Sequence, residues 1–252
     1  MTRTLRRILF FAGLVLMSVS PAMFGGVRHF TFIYEAPTSA PGSVELENWF
    51  TWRRVDNEDT DTLVFRHEIE YGVTDRFQAS LYFADWVYES TADDSGTVFE
   101  DVALELIYNF TNPVLDPVGL SVYQEYKGGY RLFEWESKVI LQKNIGRWIL
   151  AYNATVEAVW EGEDLAETEG EIIQSLGASY EITPRFSVGL EMVHEIVLPE
   201  WNDDEDIRNF FVGPNVSYRR GHWFVTSSFL TQATDTSGEP DFQWRTIFGI
   251  GF

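Results

Sequence analysis

Apolar and polar residues alternate along most of the chain from Gly42 to the C-terminus. In the last stretch, one face is formed by Phe242, Trp244, Thr246, Phe248, Ile250 and Phe252. The opposite face is small or polar and carries Gln243, Arg245, Gly249 and Gly251. Successive side chains of a β-strand point to opposite faces, so this period of two predicts strands rather than helices.

The alternation divides into twelve segments between Gly42 and Phe252, and their lengths suit tilted transmembrane strands of about 9–11 residues. Short turns, such as Gly72–Arg76, mostly alternate with longer polar loops, such as Thr91–Gly96. Outer-membrane barrels have short periplasmic turns and longer outer loops. Pro214 predicts a bulge or irregular pairing in the tenth strand, because proline cannot donate a ladder hydrogen bond.

The seventh strand, Trp148–Trp160, is apolar along one whole face and has aromatic residues near both ends. Such ends are typical of the aromatic girdles at the two membrane interfaces. Beyond the N-terminus no segment is apolar enough to span a membrane as a helix, so an integral protein would have to be a closed barrel. We therefore predict an all-β protein, a single antiparallel up-and-down transmembrane β-barrel of about 12 strands over residues 42–252. A periplasmic β-sandwich is the alternative fold.

Residues 1–22 have the features of a cleaved signal peptide. Arg3, Arg6 and Arg7 precede the apolar run Ile8–Val19, and small residues end at Ala22. The run is shorter than the roughly 20 residues of a transmembrane helix, although an uncleaved anchor is the alternative. Residues 23–41 lack alternation, and we interpret them as an N-terminal arm that is either periplasmic or tucked into the barrel mouth. We expect a disordered lead-in rather than a plug.

The formal charge of -21 and the absence of cysteine exclude several classes of function. Binding to nucleic acid needs clustered Lys and Arg, so no nucleic-acid partner is expected. Without cysteine the chain has no disulfides, no thiol chemistry and no lipid anchor on cysteine.

The polar face of the predicted barrel is rich in charge. We predict that its pore is lined by Glu45, Glu47, Arg53, Arg66, Glu68, Glu70, Glu105, Glu134, Glu136, Lys138, Glu157, Glu191 and Arg245. Glu125 and Glu195 share this face, which gives eleven carboxylates and four basic groups. Pairing cannot neutralise this excess, so we expect a hydrated acidic lumen that favours passive passage of small polar solutes or cations.

Two other functions stay open. The charges could form an ion-pair network that fills a plugged lumen. The acidic outer loops would then be the working surface, binding divalent cations or lipopolysaccharide. The third possibility is a lipid-modifying enzyme, but His67 and His194 fall on the apolar phase. His67 has no serine nearby in its own strand, and the Glu195 beside His194 is on the other phase. We therefore predict no enzyme activity, no catalytic residue, no cofactor and no metal site.

Three stretches carry a family resemblance: residues 42–49 (GSVELENW), residues 70–78 (EYGVTDRFQ) and residues 112–120 (NPVLDPVGL). They resemble outer-membrane proteins grouped with the meta-pathway of phenol degradation. The closing strand also resembles those of bacterial outer-membrane barrels, which end on an aromatic residue. These resemblances imply a transport or porin-like role in the outer membrane of a Gram-negative bacterium. They also imply contact with outer-membrane lipids and lipopolysaccharide, and Phe252 as an assembly signal for the barrel-assembly machinery.

Overall fold

The computed structural model describes residues 28–202 and 206–252. The predicted signal peptide and residues 23–27 of the arm lie outside the described residues. The described chain is almost entirely β-structure, with two short 3-10 helices at Asp56–Glu58 and Glu163–Leu165. Within these ranges, no helix is long and apolar enough to cross a membrane.

Thirteen strands follow one another along the described chain. They are β1 Val44–Val55, β2 Thr60–Gly72, β3 Phe77–Ser90, β4 Ser95–Phe99, β5 Asp101–Thr111, β6 Gly119–Gly129, β7 Leu132–Ile145, β8 Trp148–Glu161, β9 Glu167–Thr183, β10 Phe186–Pro199, β11 Ile207–Arg220, β12 Trp223–Gln232 and β13 Phe242–Gly251. Both β4 and β5 pair with β3, so they are two parts of one barrel strand that is interrupted at Glu100.

The sheet closes on itself into a barrel. Apart from β4, which pairs only with β3, each strand pairs antiparallel with two neighbours around the sheet, and β1 pairs with both β2 and β13. Counting β4 and β5 together gives twelve strands, which confirms the predicted all-β barrel.

The alternation of the sequence separates the lipid-facing side of the wall from the interior. Along β5 the exposed Val102 and Leu104 alternate with the buried Asp101, Ala103 and Glu105. In a soluble barrel the apolar residues would be buried instead. The exposed apolar face and the polar interior are those of a membrane barrel.

One end of the barrel carries five short turns, at residues 73–76, 112–118, 146–147, 184–185 and 221–222, together with the C-terminus. We assign this end to the periplasm, because periplasmic turns are the short ones. The outer hairpins are more regular than predicted. The loop expected at Thr91–Gly96 is reduced to a tip at residues 91–94 between β3 and β4.

Two irregularities change the alternation locally. In β3 the register shifts at Phe83, because His67 pairs with Ala84 but Glu68 pairs with Tyr82. This bulge turns the following Asp85 into the barrel, where it is buried. The ladder between β11 and β12 is interrupted at Gly213 and Pro214, as the proline predicted, although the register resumes beyond it.

The arm is not a disordered lead-in, which corrects the sequence-based expectation for its described part. Residues 28–41 enter the lumen from the periplasmic end, and Phe30, Ile33 and Ala36 are fully buried there. The arm returns to the same end, where the Gly42 N–H donates to the Gly72 carbonyl over 2.7 Å. The chain's own N-terminal segment therefore occupies much of the lower lumen.

Candidate functional site

The backbone of the arm is held by side chains of the barrel wall rather than by a sheet. Asn153 accepts from the Tyr34 N–H over 2.7 Å and donates to the Tyr34 carbonyl over 3.0 Å. Gln142 accepts from the Ala36 N–H over 2.7 Å. Buried backbone groups need such partners, so these polar wall residues give the arm one defined path.

Glu191 on β10 is the strongest anchor of the arm. Its carboxylate accepts from the N–H groups of Thr31 at 2.9 Å and Phe32 at 2.7 Å. It also accepts from Asn215 at 3.0 Å and Ser228 at 2.5 Å, and its side chain has no solvent exposure. A buried carboxylate is tolerated when its oxygens are satisfied in this way. Glu191, predicted to line a pore, instead holds the segment that fills it.

Apolar side chains of the arm pack into matching sites on the wall. Phe30 and Ile33 contact Ile149 and Ala151 on β8. They also lie against Gly177 on β9, where an added Cβ would be 2.5 Å from the Phe30 ring. The glycine thus makes room for the arm, and the arm is a fitted part of the interior.

Four aromatic residues and three cations form what we call the central layer, to which the arm contributes Tyr34 and Arg28 and the wall contributes Trp49, Tyr82, Tyr123, Arg66 and Lys138. The Tyr34 and Tyr123 rings meet edge to face at 4.8 Å. Arg66 lies over the Tyr82 ring at 4.0 Å. Aromatic pairs and cation–π contacts of this kind hold these side chains closely packed inside the lumen.

Glu105 joins the central layer to the arm. Its carboxylate accepts from the hydroxyls of Tyr34 at 3.0 Å, Tyr82 at 2.9 Å and Ser80 at 3.1 Å. Arg28 of the arm pairs with Glu47 at 2.7 Å. Carboxylates predicted to attract solutes are therefore used here to bind the protein's own arm.

The outer half of the lumen is open and forms a cavity of about 440 Å³, which we call the outer vestibule. Arg66 pairs there with Asp85 at 2.6 Å and with Glu125 at 3.2 Å. Lys138 pairs with Glu136 at 2.7 Å. Lys127, which also lines the vestibule, contacts Glu134.

A second cavity of about 400 Å³, the periplasmic chamber, lies at the opposite end of the lumen. Tyr34 lines both cavities and so stands between them. At the chamber wall, His29 Nδ1 lies 2.8 Å from Glu35 and Nε2 lies 3.6 Å from Glu181. Burial lowers the pKa of His29, but the Glu35 and Glu181 carboxylates together more than offset this, so the pKa is raised above its usual value.

The predicted pore residues all face the interior but fall into different surroundings. Glu45, Glu47 and Glu70 line the periplasmic chamber, Glu68 and Glu105 are buried at the level of the central layer, and Glu191 anchors the arm. The vestibule is lined by Arg53, Arg66, Glu134, Glu136, Lys138, Glu157 and Arg245. Whether any of them serves conduction stays a prediction.

Sequence reasoning missed several interior residues. Trp49 and Lys127 lie on the polar phase of their strands, so the alternation itself could have identified them. Asp85 could not be found in this way, because the bulge at Phe83 changes its phase. Tyr34 belongs to the arm, which has no periodicity.

Oxygen atoms of Glu134, Glu136 and Glu157 lie within 4.8 Å of one another. Carboxylates at this separation could hold a hard cation, but Lys127 and Lys138 already contact two of them.

The two histidines on the outward phase have aromatic neighbours. His67 Nδ1 lies 2.9 Å from Asn48 Oδ1 and its ring stacks on Phe83. His194 lies beside Phe210 at 6.4 Å between ring centres.

At the C-terminus, Phe252 is 59% exposed and its N–H donates to the Val44 carbonyl over 2.8 Å. Its role in assembly stays a prediction.

Comparison with solved structures identifies the fold. The COG4313 outer membrane channel from Pseudomonas putida F1 matches with a TM-score of 0.65 at 10% identity, over 93% of this chain and 100% of that chain. The β domain of the Bordetella autotransporter BrkA gives 0.57 at 14% identity, over 84% and 100%. The NanC porin gives 0.55 at 9% identity, over 82% and 98%. At these identities the likeness concerns the fold alone.

No curated protein matches the sequence. The resemblance to the meta-pathway family is not tested by these matches and stays a prediction. The model of a family of unknown function, DUF6662, matches residues 24–243. The chain folds as a bacterial outer-membrane β-barrel, and it belongs to the DUF6662 family.

Proposed function

We propose that this barrel is an outer-membrane channel for small polar solutes whose lumen is closed by the N-terminal arm. The observation that carries the proposal is the arrangement of two charged cavities, of about 440 and 400 Å³, on either side of Tyr34. A purely structural barrel needs no polar cavity on each side of a thin closed layer. The solved structures that share the fold include a channel and a porin.

The contacts of the arm support reversible closure. Its polar groups bind wall side chains such as Glu191 and Asn153, and water can replace those partners when the arm withdraws. The closed state then corresponds to the arm in place, and the open state to passage along the acidic wall.

Glu191→Ala is the variant that tests this mechanism. It removes the acceptor of the Thr31 and Phe32 N–H groups, and each buried donor left unpaired costs about 1–3 kcal/mol. We expect low, intermittent conductance from the refolded full chain in a planar bilayer. The variant should be open for a much larger fraction of the time.

Glu195→Ala is the matched control. Glu195 lies four residues further along β10 and lines the vestibule, so its removal should leave the open fraction unchanged. Cleavage by trypsin after Arg28 reports withdrawal of the arm independently of conductance. A Glu191→Ala barrel that releases its arm and still passes no ions would contradict the channel.

The filled lower lumen also favours a second candidate, a permanently plugged barrel that works through its acidic outer surface. In that case neither the full chain nor Glu191→Ala would conduct. Binding of Ca²⁺ or lipopolysaccharide to the intact barrel would then be the property to measure.

A further inference from the structure

The charges that line the outer vestibule are segregated by strand. Arg245 on β13, Arg53 on β1 and Arg66 on β2 stand on three neighbouring strands. Carboxylates line the vestibule from β7 to β10, at Glu134, Glu136, Glu157, Glu161, Glu169, Glu171 and Glu195. The arginines are therefore concentrated on one wall and most of the carboxylates on the other, although Lys127 and Lys138 lie at the edge of the acidic wall and pair with Glu134 and Glu136.

The barrel topology places the two walls opposite each other. With β4 and β5 counted as one strand, β8 lies six strands from β1 in either direction around the closed sheet. Arg53 on β1 therefore faces the wall that carries Glu157 on β8, with the cavity of about 440 Å³ between them. Low-dielectric walls concentrate the field between such opposed charges.

Several of these charges have no ion-pair partner in the described part of the chain. Arg66 is neutralised by Asp85 and Glu125. Arg245 instead donates to Thr51 Oγ1 at 2.9 Å and the Thr31 carbonyl at 3.3 Å, and no described carboxylate pairs with it.

The other unpaired groups also face the cavity. The Nε of Arg53 is buried without a hydrogen-bond partner among the described residues, and so is Oδ1 of Asp101, whose residue is 5% exposed. Neither Glu157 nor Glu171 lies within ion-pair distance of a described basic group. Buried charges without a partner are costly, and a bound solute that supplies both opposite charges would relieve them together.

We propose that the outer vestibule is a binding site for small zwitterions that carry an amine and a carboxylate, such as amino acids or short peptides. The ligand carboxylate pairs with Arg53 and Arg245, and the ligand ammonium pairs with Glu157 and Glu171. The aromatic floor formed by Phe32 and Trp49 gives the ligand body an apolar surface. The inference deepens the proposed function by naming the solute class, although the binding can be measured without transport.

Three probes of similar size distinguish the contributions of the two walls to binding. Alanyl-alanine carries both charges, N-acetyl-alanyl-alanine carries only the carboxylate, and alanyl-alanine amide carries only the ammonium group. Calorimetric titration of the refolded full chain measures their affinities at neutral pH and low salt. We expect the zwitterion to bind about tenfold tighter than either singly charged probe, which corresponds to about 1.4 kcal/mol.

Two variants assign each end of the ligand. Arg53→Gln should weaken the binding of the zwitterion and of the N-acetyl anion and leave the affinity for the amide cation unchanged. Glu157→Gln should weaken the binding of the zwitterion and of the amide cation and leave the affinity for the N-acetyl anion unchanged. Controls of the same chemical type are Arg208→Gln and Glu163→Gln, since both residues lie on the exposed outer rim.

The outcomes of the titration and of the conductance measurement are independent. Equal binding of the three probes, or two variants that weaken binding of the same singly charged probe, would overturn the zwitterion site even in a conducting barrel. Zwitterion binding to a barrel that never conducts would retain the site and reject the channel. Tight binding of one charged probe only would reassign the vestibule to cations or anions.

Discussion

The two halves of the lumen are built from the same alternation but use their charges differently. In the periplasmic half, Glu191 and Glu105 accept hydrogen bonds from the arm, so their charge is satisfied within the chain. In the outer half, Glu157 and Arg53 face a cavity and have no ion pair among the described residues. The comparison shows that a charged interior does not by itself define a pore, because what the charge contacts decides its role.

The largest expected effect comes from filling the space that the wall leaves for the arm. Gly177→Ala places a Cβ within 3 Å of the Phe30 and Ile33 side chains, and overpacking of this kind costs about 1–3 kcal/mol. We expect the backbone amides of residues 29–36 to exchange hydrogen about 10- to 100-fold faster. Hydrogen exchange followed by mass spectrometry measures the change.

Gly170→Ala is the control for this variant, because Gly170 lies on the same strand but its added Cβ would meet the Trp201 ring at the outer rim. Its effect should be confined to the outer hairpins. Equal loosening of the arm in both variants would mean that the arm is not separately fitted to the lower lumen.

The second effect concerns ion selectivity. Changing Glu134 and Glu136 to Gln removes two vestibule carboxylates and leaves Lys127 and Lys138 without these partners. We expect the cation preference to fall several-fold, because wall charges set the local ion concentration. The reversal potential in a salt gradient measures it.

The matched control for this double variant changes Glu68 and Glu70 to Gln in the other half of the lumen. Glu68 is 1% exposed, and Glu70 accepts from Ser39 of the arm. These changes should affect arm retention more than selectivity. A loss of cation preference as large as that of the vestibule pair would remove the distinction between the two halves.

The smallest effect is a dependence on pH through His29. Its pKa is raised because Glu35, with Glu181, more than offsets burial, while Arg219 acts in the opposite direction. Protonated His29 therefore stabilises the inserted arm fully below its unfolded pKa of about 6.5. This stabilisation is lost as the pH rises through the higher folded-state pKa.

Tryptic cleavage after Arg28 should thus become faster as the pH rises through neutrality, by less than about tenfold. His29→Asn should remove most of this dependence when the rate is corrected for the pH profile of trypsin on an unfolded peptide. An unchanged profile in the variant would assign the effect to another group.

The strands could be predicted from the sequence because each residue's face is fixed by its immediate neighbours along the strand. Trp148–Trp160 matches β8 to within one residue for this reason. The path of the arm could not be predicted, since its partners lie far away in the chain. The Tyr34 N–H donates a hydrogen bond to Asn153, 119 residues away in the sequence. The Thr31 N–H donates to Glu191, 160 residues away.

The residues that line the candidate site could be predicted from the sequence, but the groups that each of them contacts could not. Alternation correctly turns Glu134 and Glu191 inward, but it carries no information on whether water or backbone meets each carboxylate. The bulge at Phe83 sets a further limit, because a single extra residue reverses the face of Asp85 without any signal in the local pattern.

Both ends of the described part of the arm, residues 28–41, lie at the periplasmic end of the barrel, since the Arg28 carbonyl accepts from Ser217 and Thr226 near the turn at Gly221, and Ala40 lies against Gly72. This part of the arm is therefore not threaded through the ring of strands. The arm can slip out as a loop while every interstrand ladder stays intact. The time scale of its withdrawal is then set by a few local contacts, and not by the very slow rupture of a closed β-sheet in lipid.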